Sequence, residues 1–210
     1  AEWAGRIYRR FGLSEVALYG YRGYWKSPAG FDRSSGQATF PRLSVFGGSV
    51  RRPLLDGIVH AEGGYYHSRD DKKGQDPFVR NSETRGLIGF EREATTDFTV
   101  GVQYYAEYMR YHKAYLADLP RGSGTADKLR QLVTLRLQFL AWNQSLRMSL
   151  FVYASPTDRD GALRPTVSYA ITDNTKLNLG ANLFYGEEPH TFFGQLEKNT
   201  NAYAAIRMAW

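Results

Sequence analysis

Hydrophobic and polar residues alternate along the chain between Lys128 and Ser155. In the first half of this stretch one parity is mainly apolar, with Leu129, Val133, Leu135, Leu137, Phe139 and Ala141. The other parity is mainly polar, with Arg130, Thr134, Arg136 and Gln138. The pattern breaks over residues 142–145 and restarts at Leu146. A period of two predicts strands, and the short break predicts the turn of an antiparallel hairpin.

The two faces of this hairpin need different surroundings. Charged residues recur in mid-strand on the polar parity, so we expect that face to meet water, whereas the apolar face has to be covered. A second sheet would cover it in a soluble sandwich, and lipid would cover it in an outer-membrane barrel. The function that the sequence predicts depends on which of these two covers is present.

The same alternation predicts about eleven strands along the chain. The strands are expected at about 1–11, 15–25, 41–52, 58–67, 85–93, 97–111, 128–141, 146–155, 162–171, 176–185 and 201–210. Short connections fall at 12–14, 53–57, 94–97, 142–145 and 172–175. Longer ones fall between them, at 26–40, 68–84, 112–127, 156–161 and 186–200. Alternating short turns and long loops are typical of outer-membrane barrels, with their periplasmic turns and extracellular loops.

Composition is compatible with a barrel and excludes several other classes. No segment approaches the roughly 20 apolar residues that a spanning helix needs. The chain has no cysteine, so neither a disulfide framework nor a thiolate metal site is expected. The net charge is +6, but the Lys and Arg residues are dispersed, so no nucleic-acid partner is expected. Aromatic residues make up 15% of the chain, which suits interfacial aromatic girdles.

The last residues carry a resemblance to a known class of protein. Ala202, Ala204, Ile206 and Met208 share one parity with the terminal Trp210. This ending resembles the C-terminal strand of Gram-negative outer-membrane β-barrels, which ends on an aromatic residue and is recognised by the barrel-assembly machinery. The resemblance implies a location in the cell outer membrane, with outer-membrane lipid, lipopolysaccharide and the assembly machinery as partners.

The predicted fold is therefore all-β, an antiparallel up-and-down transmembrane β-barrel formed by residues 1–210 as a single domain. Single-chain bacterial barrels have an even number of strands, so about twelve are expected. Because about eleven strands are visible in the pattern, we expect some N-terminal material to precede Ala1. A soluble β-sandwich or barrel that binds an acidic ligand is the alternative fold.

Polar-parity residues of the predicted strands are the candidate pore lining. They are Arg85, Glu91, Gln103, Glu107, Arg130, Arg136, Gln138, Arg147, Arg164 and Arg207, accompanied by Asn178 and Asn182. Arginine predominates, and fixed positive charge in a narrow pore favours anions over cations. An alternative is that these arginines pair with Glu62, Glu91, Glu93 and Glu107 and so plug the barrel with salt bridges.

Motifs that would indicate an enzyme or a cofactor site are weak. Tyr66-His67-Ser68 with Asn81 faintly resembles outer-membrane phospholipase A, but adjacent His and Ser side chains point to opposite faces of a strand. Asp158-Arg159-Asp160-Gly161 lacks the further carboxylates of an EF-hand calcium loop, and a polar turn explains it equally well. We expect no enzymatic activity, no metal and no cofactor.

Three functions remain open on the sequence. The first is a porin-like channel for passive diffusion of small polar or anionic solutes through an arginine-rich lumen. The second is a non-conducting structural barrel whose extracellular loops bind a partner or ligand. The third is the soluble acidic-ligand binder, which would need no detergent.

Overall fold

An antiparallel sheet of eleven strands dominates the computed structural model, which describes residues 1–209. Its strands are β1 Trp3–Phe11, β2 Ser14–Tyr24, β5 Arg42–Leu54, β6 Gly57–Ser68, β7 Glu83–Thr95, β8 Phe98–Met109, β9 Leu129–Ala141, β10 Leu146–Ser155, β11 Asp160–Thr172, β12 Thr175–Gly186 and β13 Asn201–Met208. They are ordered in the sheet as they are along the chain. The prediction of eleven strands from the period-two pattern is confirmed.

Three of the predicted long connections contain regular structure that the alternation did not reveal. A two-stranded hairpin, β3 Gly30–Asp32 with β4 Gln37–Thr39, occupies the first of them. A short helix, α1 His112–Asp118, follows β8, and a 3-10 helix, Gly194–Asn199, precedes β13. Neither these nor any other helix within residues 1–209 has the length and hydropathy of a membrane span.

The connection between β10 and β11 is shorter than predicted. Pairing continues up to Ser155 and Asp160, so only residues 156–159 remain outside the strands. Gly161 permits this, because a Cβ atom there would collide with the Tyr153 carbonyl oxygen. The expected alternation of short and long connections therefore fails here, because three short connections, at 142–145, 156–159 and 173–174, follow one another.

Tight turns join the other hairpins. Leu55 and Asp56 form the two-residue turn between β5 and β6, and both have a φ of 54°. Positive φ at both central positions gives the turn a twist that matches the right-handed twist of paired strands. Gly12, with a φ of 57°, has the same role between β1 and β2, where its missing side chain removes the steric cost.

The chain divides into two compact units. The first comprises residues 1–52, 60–88 and 105–130; the second comprises 53–59, 89–104 and 131–210. In the first unit β2 pairs with both β1 and β5, and in the second β9 to β13 form a continuous ladder. The organisation of the whole chain as a single domain stays a prediction.

The sheet order begins at β1 and ends at β13. Every residue of these two strands is exposed, on both parities. Trp210, the aromatic end of the strand that resembles outer-membrane barrels, lies outside the described residues. The four other residues that carry that resemblance lie on β13, where Ala202, Ala204, Ile206 and Met208 share one face.

Candidate functional site

Cross-strand pairing sorts the side chains of the sheet into two faces. In the second unit Arg136 lies opposite Phe151, which lies opposite Arg164. We call this side the polar face; it is the parity of Arg136, Arg147, Arg164, Asn182 and Arg207. The other side is the apolar face; it is the parity of Leu135, Leu150, Leu163, Leu179 and Ile206. In the first unit the polar face is the parity of Arg6, Ala17 and Ser49, and the apolar face that of Ile7, Leu18 and Phe46.

Large hydrophobic side chains on the apolar face are accessible in both units. In the first unit Ile7 is 78% and Leu18 64% exposed, and in the second Leu179 is 43% and Ile206 63% exposed. Val133 is exposed as well, while Leu135, Leu150 and Val152 are half-buried. By contrast, the buried apolar residues of the strands, Ala17, Leu43 and Ala162, are on the polar face. The sheet thus leaves open the face that a soluble protein would bury.

Four charged side chains of the first unit form what we call the ionic cluster: Arg80, Glu83, Arg85 and Glu107. Arg80 pairs with Glu83 and, at 2.5 Å, with Glu107. Arg85 lies 2.7 Å from Glu83 and 3.6 Å from Glu107. The Glu83 side chain is 3% exposed and the Glu107 side chain 15%. Each of the two carboxylates therefore contacts both guanidinium groups, so the two positive and two negative charges balance.

Aromatic rings surround the ionic cluster. Trp25 and Tyr66 are stacked with their ring centroids 6.0 Å apart, and the Arg85 guanidinium lies 4.1 Å from the Tyr66 centroid. Tyr105 donates a hydrogen bond of 2.8 Å to Glu107. Burial by itself would lower the pKa of Arg80, but the two carboxylates outweigh it and raise that pKa above its ordinary value. The cluster is consequently a charge-balanced contact between the loop residue Arg80 and residues near the ends of β7 and β8.

A chain of hydrogen bonds runs across the polar face of the second unit. Arg164 Nε donates to Asn182 Oδ1 at 2.9 Å, and Asn182 Nδ2 donates to Asn201 Oδ1 at 3.1 Å. Asn201 Nδ2 then donates to the Asn199 carbonyl oxygen at 2.7 Å. The bond to Asn182 orients the Arg164 guanidinium, and the bond from Asn182 to Asn201 orients the Asn182 amide in turn.

Hydroxyl groups lie in the neighbouring rows of the same face. Ser149 and Thr166 are directly opposite each other, with their hydroxyl oxygens 2.6 Å apart. Ser168 donates to Asn178 Oδ1 at 2.8 Å. The face therefore offers guanidinium, amide and hydroxyl groups within a few residues of one another.

The arginines of the second unit differ in how far they are neutralised. Arg136 lies 3.6 Å from Glu91, in a pair that is about half exposed on both sides, and it donates to Gln138 at 3.4 Å. Within residues 1–209, no carboxylate forms an ion pair with Arg147, Arg164 or Arg207. These three arginines contribute uncompensated positive charge to the polar face.

The last long loop is tied to the polar face. Asp160 is fully buried, and one of its carboxylate oxygens accepts the Phe193 backbone N–H at 2.6 Å. The Phe193 ring packs against Tyr153, with centroids 5.4 Å apart, and Tyr153 is stacked on Phe151. Residues 187–200 thus do not extend freely from the sheet. They fold back against the end of the strands at which Tyr153 and Asp160 lie.

All ten predicted pore-lining residues lie on strands of the large sheet. Arg85 and Glu107 join the ionic cluster, and Arg130 is half-buried at the start of β9. Glu91 contacts Arg136, which contacts Gln138, while Gln103 accepts a hydrogen bond of 3.3 Å from Thr134. Arg147, Arg164 and Arg207 are exposed. Their role as a pore lining stays a prediction.

Sequence reasoning missed several residues that the structure makes prominent. Glu83 shares its parity with Arg85 and could have been found by extending the predicted strand by two residues. Arg80 and Phe193 lie in loops, where no periodicity indicates which strand they contact. The sequence pattern placed Asp160 in a connection, within a weak calcium-loop motif or a polar turn, yet Asp160 is the buried anchor of a distant loop.

The structure adds little to the weak enzyme and metal motifs. His67 and Ser68 are successive residues of β6, and the Asn81 amide donates to the Arg110 carbonyl oxygen at 2.9 Å. In the described part of the chain, no three His, Asp or Glu side chains are grouped so that they could hold a metal ion.

No known family model matches the chain, and no curated protein matches it in sequence.

Proposed function

We propose that this chain is a porin-like β-barrel of the Gram-negative outer membrane, through which small polar or anionic solutes diffuse passively. The observation that carries the proposal is the exposure of the apolar face, with Leu18 at 64%, Leu179 at 43% and Ile206 at 63%. Exposed apolar area of this extent is costly in water and favourable against hydrocarbon, at about 25 cal/mol per Å² transferred.

A membrane barrel also accounts for the ends of the sheet. Strands in lipid need every backbone group paired, because water is not present to replace a missing hydrogen bond. In the proposed barrel β1 and β13 therefore both have strand partners, in a closed wall of about twelve strands. Its external partners are lipid and lipopolysaccharide, with the barrel-assembly machinery during insertion.

The lumen side of this barrel is the polar face. Arg147, Arg164 and Arg207 carry charge that no described carboxylate neutralises. Fixed charge in a narrow aqueous pore with low-dielectric walls acts more strongly than at an open surface, so the pore prefers anions. Serine, threonine and asparagine side chains between the arginines keep the path wet.

Planar-bilayer recording of the purified protein tests the proposal. In a KCl gradient we expect steady open levels. We also expect the reversal potential to shift from zero toward the equilibrium potential of chloride. Replacing both Arg136→Glu and Arg147→Glu should move the reversal potential toward cation selectivity. Arg121→Glu, a reversal in an exposed loop, is the matched control and should leave it nearly unchanged. A protein that stays in solution without detergent and gives no current would refute the proposal.

A second function, the non-conducting barrel that binds a partner through its loops, has a specific observation in its favour. The ionic cluster and the Asp160–Phe193 contact each fix a long loop against the end of the strands. If these loops close the lumen, bilayer recordings would show membrane insertion without steady open levels. Restoration of current by the Asp160→Ala variant would then identify the loop of residues 187–200 as the plug.

A further inference from the structure

The polar face of the second unit is suited to a ligand with particular chemistry. From residue 131 onward, strands β9–β13 carry five cationic side chains on this face, Arg136, Arg147, Arg164, Lys176 and Arg207, against one carboxylate, that of buried Asp160. Glu91 compensates one of the five by its contact with Arg136. The remaining charge is complementary to an anion.

Arg164 is the member of this set that is prepared to bind an anion directionally. Its Nε donates to Asn182, which itself donates to Asn201, so the guanidinium is already oriented by a hydrogen bond before any ligand arrives. Within residues 1–209, its two terminal amino groups have no carboxylate partner. Two parallel N–H donors in this arrangement match the two oxygens of a carboxylate, and preorganisation reduces the entropy lost on binding.

The surroundings of Arg164 select for more than charge. Phe151 lies directly opposite it and offers an apolar ring, stacked on Tyr153 at a centroid distance of 4.7 Å. One row further along the strand lie the Ser149 and Thr166 hydroxyls. Successive residues on one face of a strand are about 7 Å apart, so these groups are within reach of one small molecule. A simple anion would leave them unused.

We infer that Arg164 anchors the carboxylate of a polyhydroxylated acid, that is, a sugar acid, whose hydroxyl groups bond to the Ser149–Thr166 row. This inference rests on the proposed function and names the class of solute for which the pore is selective. Phe151 packs against the C–H groups of the bound solute, as aromatic side chains do in pockets that hold partly apolar ligands.

Isothermal titration calorimetry on the full chain in detergent tests the site without relying on conduction. The probes are gluconate, acetate, glucose and inorganic phosphate. We expect gluconate to bind at least about tenfold more tightly than the other three, because only gluconate satisfies both the guanidinium and the hydroxyl row. Equal binding of acetate or phosphate would overturn the inference, since it would show a general response to negative charge.

Three variants separate the anchor from the general charge of the face. Arg164→Gln should weaken gluconate binding about tenfold, and Arg164→Lys should fail to restore it, because an ammonium group lacks the two-pronged geometry. Arg207→Gln removes one charge from the same face and should change binding by less than about threefold. A loss as large in Arg207→Gln as in Arg164→Gln would overturn the assignment of Arg164. The preference of the unaltered protein for gluconate over acetate decides the matter if a variant fails to fold.

The calorimetric result and the bilayer result can fail separately. Conduction of KCl without any preference for gluconate would overturn the sugar-acid inference and leave the pore intact. Binding of gluconate without conduction would overturn the pore and support the binding site. In a conducting protein, gluconate should reduce the chloride current at lower concentrations than acetate does.

Discussion

The Nη2 atom of Arg85 lies 2.7 Å from Oε2 of Glu83, whose side chain is only 3% exposed. Removing one partner of a buried ion pair costs more than the pair contributes, because the remaining charge stays desolvated. Glu83→Gln leaves Arg80 and Arg85 facing one carboxylate instead of two. Since both arginines are partly exposed, we expect a loss of about 2 kcal/mol in the free energy of unfolding, below the full buried-pair value.

Urea-induced unfolding of the detergent-solubilised protein measures this loss. Glu15→Gln is the matched control, because Glu15 pairs with Arg6 at 2.7 Å on an exposed part of the same unit. An exposed pair contributes much less to stability than a buried one, because water and salt screen both charges. The importance of the ionic cluster would be contradicted by similar losses in the two variants.

A lipid-covered apolar face predicts opposite responses at neighbouring positions. Leu179 and Tyr203 lie at the same depth on paired strands but on opposite faces, since Leu179 is opposite Ala204 and Gly180 is opposite Tyr203. Leu179→Arg should reduce the free energy of folding into vesicles by about 2–4 kcal/mol if the position is near the bilayer midplane. Tyr203→Arg should have a much smaller effect.

Heat-modifiable migration on gels after refolding into phospholipid vesicles measures the folded fraction of each variant. A harmless Leu179→Arg together with a damaging Tyr203→Arg would mean that the two faces have been assigned the wrong way round.

The buried Asp160 carboxylate should control the mobility of the last loop. Its hydrogen bond to the Phe193 N–H is 2.6 Å long, and a bond to a charged group contributes about 1.5–3 kcal/mol. Asp160→Ala should therefore raise the population of the open loop by at least about tenfold. Limited digestion with trypsin should then cleave after Lys198 correspondingly faster.

Asp173→Ala, in the exposed turn between β11 and β12, is the control for this digestion. Unchanged cleavage at Lys198 in Asp160→Ala would show that Phe193 packing against Tyr153 is sufficient to hold the loop without the hydrogen bond.

The β3–β4 hairpin should depend on pH through Asp32. The hydroxyl groups of Ser35 and Ser34, together with the Ser34 N–H, donate to the Asp32 carboxylate and lower its pKa from 3.8 to about 2. Because the folded pKa lies below the unfolded one, the carboxylate stabilises the hairpin above pH 4, and this contribution is lost as the pH falls toward 2.

An NMR titration of the Asp32 side chain measures that pKa directly. Ser35→Ala removes the largest contribution and should move the midpoint toward the ordinary value. A midpoint near 3.8 in the unaltered protein would mean that the serine hydrogen bonds are not formed in solution.

The positions of the strands were available from the sequence, because a half-buried strand needs alternate residues of opposite character. Leu135 and Arg136 were assigned to opposite faces on this ground alone, and the pairing of β9 with β10 agrees. The prediction of the ten pore-lining residues rests on the same rule. The face to which a residue points can be predicted from its position along one strand, without knowing which strands are neighbours.

Only the tertiary structure decided which of these residues contact one another. Arg80 and Glu107 are 27 residues apart, and Asp160 and Phe193 are 33 apart, so no local pattern links either pair. Loop residues show no period-two pattern, so the sequence does not indicate which face of the sheet they contact. The helix at His112–Asp118 lies in such a loop and was not predicted for the same reason. Alternation determines the side to which a residue points; its partner depends on how distant segments are brought together by the sheet.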